Sequence, residues 1–462
     1  MFATLSSCRQ KTTVETQQSI EDPIQNSVLV TQTQLPTSTS LPLTITPTLS
    51  PDEPLLIYLD KSDQKTFWAL SSSHLSKTSF KLPENSCIRD WQNSISPHGH
   101  WMVIYINCFN NEVSSETSLA LFHIPDGRIR LVTQLFMDEN SADLGNDIFT
   151  FDWSTDGLYL VFAGAIDKPY FDLYLYDLEQ DVVRRLTDDL QSIEYVEFSP
   201  DSKWIWFENS EPEGAYSTTY FYALQTEKLD IQSPKAILDS RWNINEGWVS
   251  LNEYFLVNAS EGCCGENNLR YINVESKQEI VLWKSFTTGY AIDPENQSIV
   301  VSAAPESDLQ GLYLVDWDGK RKKISDGMWL LVFRGGTNSR YVGFDGEKVV
   351  TISQDGTLSQ ISEKPFYSLS VSPDKTWYVL YDKYKKIPSI DLYSGNDLFI
   401  KTISNEKSFP AAWLPDSSGF FYIAQNLYFV SIPDGEPVMI EECEKDECEY
   451  WIGESDFIWS YP

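Results

Sequence analysis

From residue 54 onward, apolar and polar positions alternate in short runs, broken repeatedly by Pro-Asp, Asp-Gly or Ser-containing segments. A period of two puts successive side chains on opposite faces of a strand, so the pattern predicts β-structure throughout. The clearest stretches are "FDWSTDGLYLVFAG" (151–164), "VEFSPDSKWIWFEN" (196–209), "SVSPDKTWYVLYD" (370–382) and "AAWLPDSSGFFYIA" (411–424). Each is an apolar strand, a turn and a second strand rich in Trp, Tyr and Phe. Looser copies are "SISPHGHWMVIYI" (94–106), "GWVSLNEYFLVNA" (247–259), "YAIDPENQSIVVSA" (290–303) and "LVFRGGTNSRYVGF" (331–344). A third and a weaker fourth strand follow, joined by hairpins such as "LYLVDWDGKRKKI" and "VTISQDGTLSQI". Asp-Gly is a strong hairpin signal because Gly accepts the positive φ that tight turns demand.

A single four-stranded sheet of about 40–48 residues cannot bury both faces, but packed radially against copies of itself it can. The strand–Ser-Pro-Asp-Gly–strand hairpin resembles the TolB-type (WD40-like) β-propeller repeat, and the resemblance covers roughly residues 87–442. It implies a propeller that contacts other proteins, typically at one end of its central channel. Ser202 and Lys375 stand where the repeat has Gly, so these turns are expected to differ in shape. Eight units fill residues 87–442, and strand-like segments in 54–84 and 446–462 supply about one more. A composite blade drawn from both termini would close the ring and remove exposed sheet edges. The expectation is an all-β chain: one closed β-propeller over 54–462 with eight four-stranded blades, nine being the alternative.

Residues 1–53 differ in kind. Leu5-Ser6-Ser7-Cys8 resembles a bacterial lipobox, which implies lipidation of Cys8 after signal-peptide cleavage. Two readings stay open: an export signal beginning upstream of Met1, or a chance cysteine in a tail. The Thr-, Ser-, Gln- and Pro-rich stretch that follows has too little apolar surface to offset its ordering entropy and is expected to be a disordered linker. This layout implies an extracytoplasmic protein, secreted or tethered to the membrane only through a lipid. No apolar run reaches the roughly 18 residues of a spanning helix.

Composition narrows the partners. Aromatics make up 14% of the 462 residues, which suits packed strands. The chain carries 34 basic against 67 acidic residues, a net charge of −33. Such a surface repels a phosphate backbone, so nucleic acid is excluded as a partner. A solvated exterior, a basic partner or calcium each accommodates the excess.

Apart from Cys8, six cysteines remain, an even number that suits disulfides in an oxidising compartment. Cys87 and Cys108 flank the hairpin around Pro97-His98 symmetrically. With a two-residue loop they face each other at a non-hydrogen-bonded pair, about 4.5 Å apart at Cα. Cys443 and Cys448 bracket an acidic segment. Cys263 and Cys264 are adjacent, leaving a vicinal bridge, pairing elsewhere or free thiols open.

Catalytic chemistry is sparse. No Gly-x-Ser-x-Gly elbow occurs, and His98 and His100 flank a turn without further His or Cys at ligand spacing. Asp316 and Asp318 echo an EF-hand loop, but its twelfth position falls on Gly327, so hairpin chemistry explains them better. Glu441, Glu442, Glu444, Asp446, Glu447 and Glu449 form the most suggestive cluster, able to meet a cation or a basic partner. No cofactor is expected, with calcium the one candidate. Long connections between second and third strands at 107–117, 165–171, 209–218 and 260–268 share one face with 443–449. The expectation is a noncatalytic scaffold binding a protein, peptide or cell-wall component there. The alternative is a hydrolase or lyase with its pocket at the channel, which needs acids and bases on inner strands that read as apolar (Val196, Phe198, Ala412, Trp413).

Overall fold

Strand text written this often folds into nine antiparallel sheets of four strands each in the computed structural model. The described residues are 54–60, 65–72, 75–88, 94–107, 117–135, 150–166, 171–188, 193–213, 216–226, 238–240, 243–259, 267–304, 309–327, 329, 331–334, 341–345, 347–353, 355–363, 366, 368–381, 389–405, 408–442 and 457–460. Among them the only helical element is the 3-10 turn Pro294–Asn296.

Blade 1 is composite: Leu55–Leu59, Thr66–Ser71 and Lys77–Lys81 from one end of the chain pair with Phe457–Ser460 from the other. Blades 2 to 9 follow in sequence, beginning at Ser86, Phe151, Ile193, Asn243, Thr287, Leu331, Ser368 and Phe409. Nine blades, rather than the eight favoured from sequence, result because the residual terminal strands form a full sheet of their own.

Nine separate apolar cores hold the blades, one at each boundary. Ile57, Phe67, Met102 and Ile104 join blades 1 and 2; Val103, Leu121, Trp153 and Leu160 join 2 and 3. The series continues through every neighbouring pair. It ends with Leu56, Tyr58 and Phe457 of blade 1 against Phe409, Phe421 and Phe429 of blade 9. The ring is therefore closed. Both faces of each sheet are buried against a neighbour, which is why strands such as Asp172–Asp177 and Ser298–Ala303 are buried along their whole length.

Three first-to-second strand turns, in blades 3, 4 and 8, share one construction. The Ser154 hydroxyl donates to Asp156 Oδ1 (2.7 Å) and accepts the Tyr159 N–H (2.9 Å), while Asp156 Oδ1 accepts the Leu158 N–H (3.0 Å). Ser199 with Asp201 and Ser372 with Asp374 repeat it. The turns lacking Gly do not differ in shape: Ser202 (φ 54°), Lys375 (φ 61°) and Ser417 (φ 62°) adopt the left-handed conformation of Gly157 (φ 64°).

The Pro97-His98 turn departs from expectation. Ser96 accepts the Gly99 N–H and donates its own N–H to Trp101, so four residues separate the paired ends, not two. Farther out, Cys87 lies opposite Tyr105 and Ser86 opposite Ile106. The extra turn residues and the shift between the two paired segments move the register away from a directly facing Cys87 and Cys108.

Candidate functional site

The face expected to bind is described only in part. Cys87 is disulfide-bonded. Cys8, Cys108, Cys263, Cys264, Cys443, Cys448, Glu444, Asp446, Glu447 and Glu449 lie outside the described residues, as do residues 1–53 and most of the connections at 107–117, 165–171 and 260–268.

Two expectations on this face change. Residues 209–218 are largely strand: Trp204–Glu213 and Tyr216–Gln225 pair continuously from Trp204↔Gln225 to Glu213↔Tyr216. The first strand of blade 4 ends its pairing at Asn209. Four further rungs, Ser210↔Thr219 to Glu213↔Tyr216, carry the ribbon about 13 Å onward at 3.3 Å per residue. Glu441 is likewise not a loop residue. It ends the last strand of blade 9, accepting a hydrogen bond from the Tyr58 hydroxyl (2.5 Å) and an ion pair from Lys77 (2.6 Å) of blade 1. Lys77 also lies 3.6 Å from the Trp68 ring centroid. Glu441 thus fastens the ring, while Glu442 is exposed.

The inner strands carry chemistry that their apolar reading missed. In blade 4, Val196 and Phe198 pack toward blade 3, but the alternate positions Tyr195 and Glu197 turn toward blade 5. Glu197 Oε2 accepts from the Tyr195 hydroxyl (2.8 Å) and from the Tyr254 hydroxyl of blade 5 (3.1 Å). Tyr254 stacks on Trp206 (4.2 Å) and meets Trp248 edge-on. Burial pushes the Glu197 carboxyl above its ordinary value, with the two hydroxyls opposing that rise. The Tyr195 and Tyr254 phenols are driven upward by burial and by the Glu197 charge. In blade 3, Asp152 Oδ2 accepts the Phe198 N–H of blade 4 (2.7 Å).

Three histidines converge on the opposite face of blade 2. His100 and His123 lie 6.2 Å apart by ring centroid, His123 Nδ1 contacts Asp126 (2.6 Å), and His98 Nε2 contacts the Asp156 carbonyl (2.9 Å). Burial lowers the His100 pKa, and His123 and His98 lower it further. Asp318 spends its carboxylate on Lys320, at 3.1 Å to the N–H and 2.6 Å to Nζ, in a turn where Gly319 has φ 81°. Among the described residues no group of three His, Cys, Asp or Glu side chains is arranged to hold a metal ion.

The same blade 4–5 boundary opens on this face as a cleft of about 370 Å³. Asp201 and Lys203 come from the blade 4 turn, Trp204 begins the second strand, and Gln225 ends the third. Leu251, Asn252 and Glu275 form the wall from blade 5.

No protein-family model matches the chain, and no curated protein does. Solved structures do. TolB from Acinetobacter baumannii is 14% identical over 58% of this chain and 62% of its own, with a TM-score of 0.32. Dipeptidyl peptidase 4 from Porphyromonas gingivalis is 11% identical over 78% and 60%, with a TM-score of 0.48. A eukaryotic initiation factor is 14% identical over 85% of this chain and 97% of its own, with a TM-score of 0.51. The chain thus spans less than two thirds of the first two. These likenesses concern the fold alone: a β-propeller whose hairpins resemble the TolB type.

Proposed function

We propose that the protein is a noncatalytic binding scaffold working outside the cytoplasmic membrane. It recognises a protein or peptide through the face bearing its second-to-third strand connections. The observation supporting this is the blade 4 ribbon, which continues four rungs past the pairing of the first strand. A backbone ribbon carried by a ring of packed blades suits recognition, which is commonly built on extensions from a rigid scaffold. On this reading Cys8 carries a lipid tether, Cys87 pairs with Cys108, and Cys443–Cys448 holds the acidic segment in shape, with Cys263 and Cys264 in a connection of the same face. Calcium remains a candidate ligand of Glu442, Glu444, Asp446, Glu447 and Glu449.

An enzymatic reading is the weaker one. Hydrolysis or elimination needs an acid and a base converging on one substrate. Glu197 has a carboxyl raised by burial, but among the described residues no second carboxylate or histidine is hydrogen-bonded to it as its partner, and Asp152 is committed to a backbone N–H.

The test is affinity capture from an envelope extract with the full chain and with a variant lacking residues 211–218. A partner retained by the first and lost by the second supports the reading. Equal capture by both, with both chains folded, refutes it. Cys8→Ser should release the protein from membranes, and continued membrane association would remove the lipid tether.

A further inference from the structure

The blade 4–5 cleft lies on the face opposite the proposed protein-binding one and is independent of it. Its chemistry is specific. Trp101 occupies in blade 2 the place that Trp204 occupies in blade 4, the first residue of the second strand. The Trp101 ring is covered by Arg130 (4.9 Å) and His123 (4.6 Å). Among the described residues no ring or cation covers the half-buried Trp204 indole, which instead lines the cleft. Among the described residues the outer strand of blade 4 is Leu238–Ser240, which pairs with Thr219–Phe221, whereas Trp204 pairs with Gln225 at the other end of that strand.

Around this platform sit two neutral amides, Gln225 and Asn252, and the carboxylate of Glu275. Asn252 Nδ2 reaches Glu275 only at 3.5 Å, the long limit of a hydrogen bond, so both groups retain capacity. Asp201 is already engaged by Lys203, Nζ at 3.0 Å.

Ligand classes fall away in turn. An anion meets Asp201, Glu275 and a net charge of −33. A cationic side chain meets Lys203 at the rim and, with Asp201 already paired to that lysine, finds Glu275 as its one remaining carboxylate among the described lining residues. A wholly apolar ligand would strip water from two amides without replacing their hydrogen bonds. What fits is a neutral ring with C–H groups on its face and hydroxyls on its edge. The volume is at the small end of ligand sites, which run from about 300 Å³.

We propose that the blade 4–5 cleft is a saccharide-binding subsite that stacks one sugar ring of a neutral glycan on Trp204, with Gln225, Asn252 and Glu275 bonding its hydroxyls.

Calorimetric titration of the full chain with cello-, chito-, xylo- and manno-tetrasaccharides tests it. At least one should bind, and Trp204→Ala and Asn252→Ala should each weaken it by about tenfold or more, roughly 1.4 kcal/mol. Asn252 lies on a turn, so its variant keeps the test open should Trp204→Ala unfold. Leu398→Ala, on the exposed rim of blade 8, should leave the affinity unchanged. Absence of binding by the whole panel overturns the proposal. So does binding indifferent to both cleft variants, or a tetra-arginine peptide that binds the cleft in their place.

Discussion

Two positions before the turn serine, the inner strands of blades 3, 4 and 8 carry Asp152, Glu197 and Ser370, and each reaches forward to the next blade. Asp152 accepts the Phe198 N–H, Glu197 the Tyr254 hydroxyl, and Ser370 the Trp413 indole N–H (2.8 Å). The position is an inter-blade acceptor, which explains polar residues among apolar ones. Asp152→Ala should cost about 1–3 kcal/mol in chemical denaturation by leaving a buried N–H unpaired, and Asp152→Asn much less. Glu197 makes a pH-dependent case. The folded protein holds its proton more tightly than the unfolded chain, so ionising it costs the fold. That cost is absent below the ordinary carboxyl value of 4.5 and grows as pH rises toward the raised folded value. Glu197→Gln, which cannot ionise, should therefore melt progressively higher relative to the unmodified protein between about pH 4 and pH 7. A melting difference flat with pH would show that the carboxyl is not raised.

At the scale of the turn, a serine in the left-handed conformation looks like a defect until its side chain is followed. Ser202 Oγ accepts the Thr155 N–H of blade 3 (2.8 Å), and Ser417 Oγ accepts the Asp374 N–H of blade 8 (3.2 Å). The side chain staples each turn to the one before it, which Gly cannot do. Left-handed backbone costs a non-glycine residue about 1–2 kcal/mol, and the staple offsets part of it. Ser202→Ala keeps the strain and loses the staple, so its urea midpoint should fall by the equivalent of about 1–2 kcal/mol. Ser202→Gly loses the staple and the strain together and should lie closer to the parent; Gly below Ala would sink the explanation. The hairpins themselves were legible from alternation and Asp-Gly turns because both faces of each strand are buried. The blade 4 ribbon was not, since "NSEPEGAYSTTY" has no apolar alternation to read, and backbone pairing alone reveals it. Glu197 stayed hidden because one face of its strand reads as apolar core, and its partner Tyr254 lies 57 residues away.

Over the whole molecule, the difference between eight and nine blades is decided by one strand. Phe457–Ser460 pairs with Leu55–Leu59 at the inner end of blade 1 and packs beside the first strand of blade 9. The strand-like segments at both ends of the chain were legible as about one further blade, but no local pattern shows whether they form a sheet of their own or extend a neighbouring one, so eight was favoured over nine. Phe457 is buried against Tyr58 at 5.4 Å within the core shared by blades 1 and 9. On the outer side the Lys77–Glu441–Tyr58 contacts cross the same boundary. Closure at this seam therefore rests on an inner strand, which brings the buried Phe457 side chain, and an outer polar latch. Phe457→Ala should cost about 3–5 kcal/mol, whereas Glu441→Gln, which breaks one part-exposed ion pair, should cost about 1 kcal/mol or less. A chain ending at residue 456 would expose the free edge of Leu55–Leu59 and the Phe409 side of the core, a template for pairing with other chains. In size-exclusion chromatography it should elute as higher oligomers, and a synthetic peptide of residues 455–462 added in trans should shift it back. A truncated chain that behaves as the parent in elution and melting would show that the seam is held by blades 1 and 9 without the returning strand.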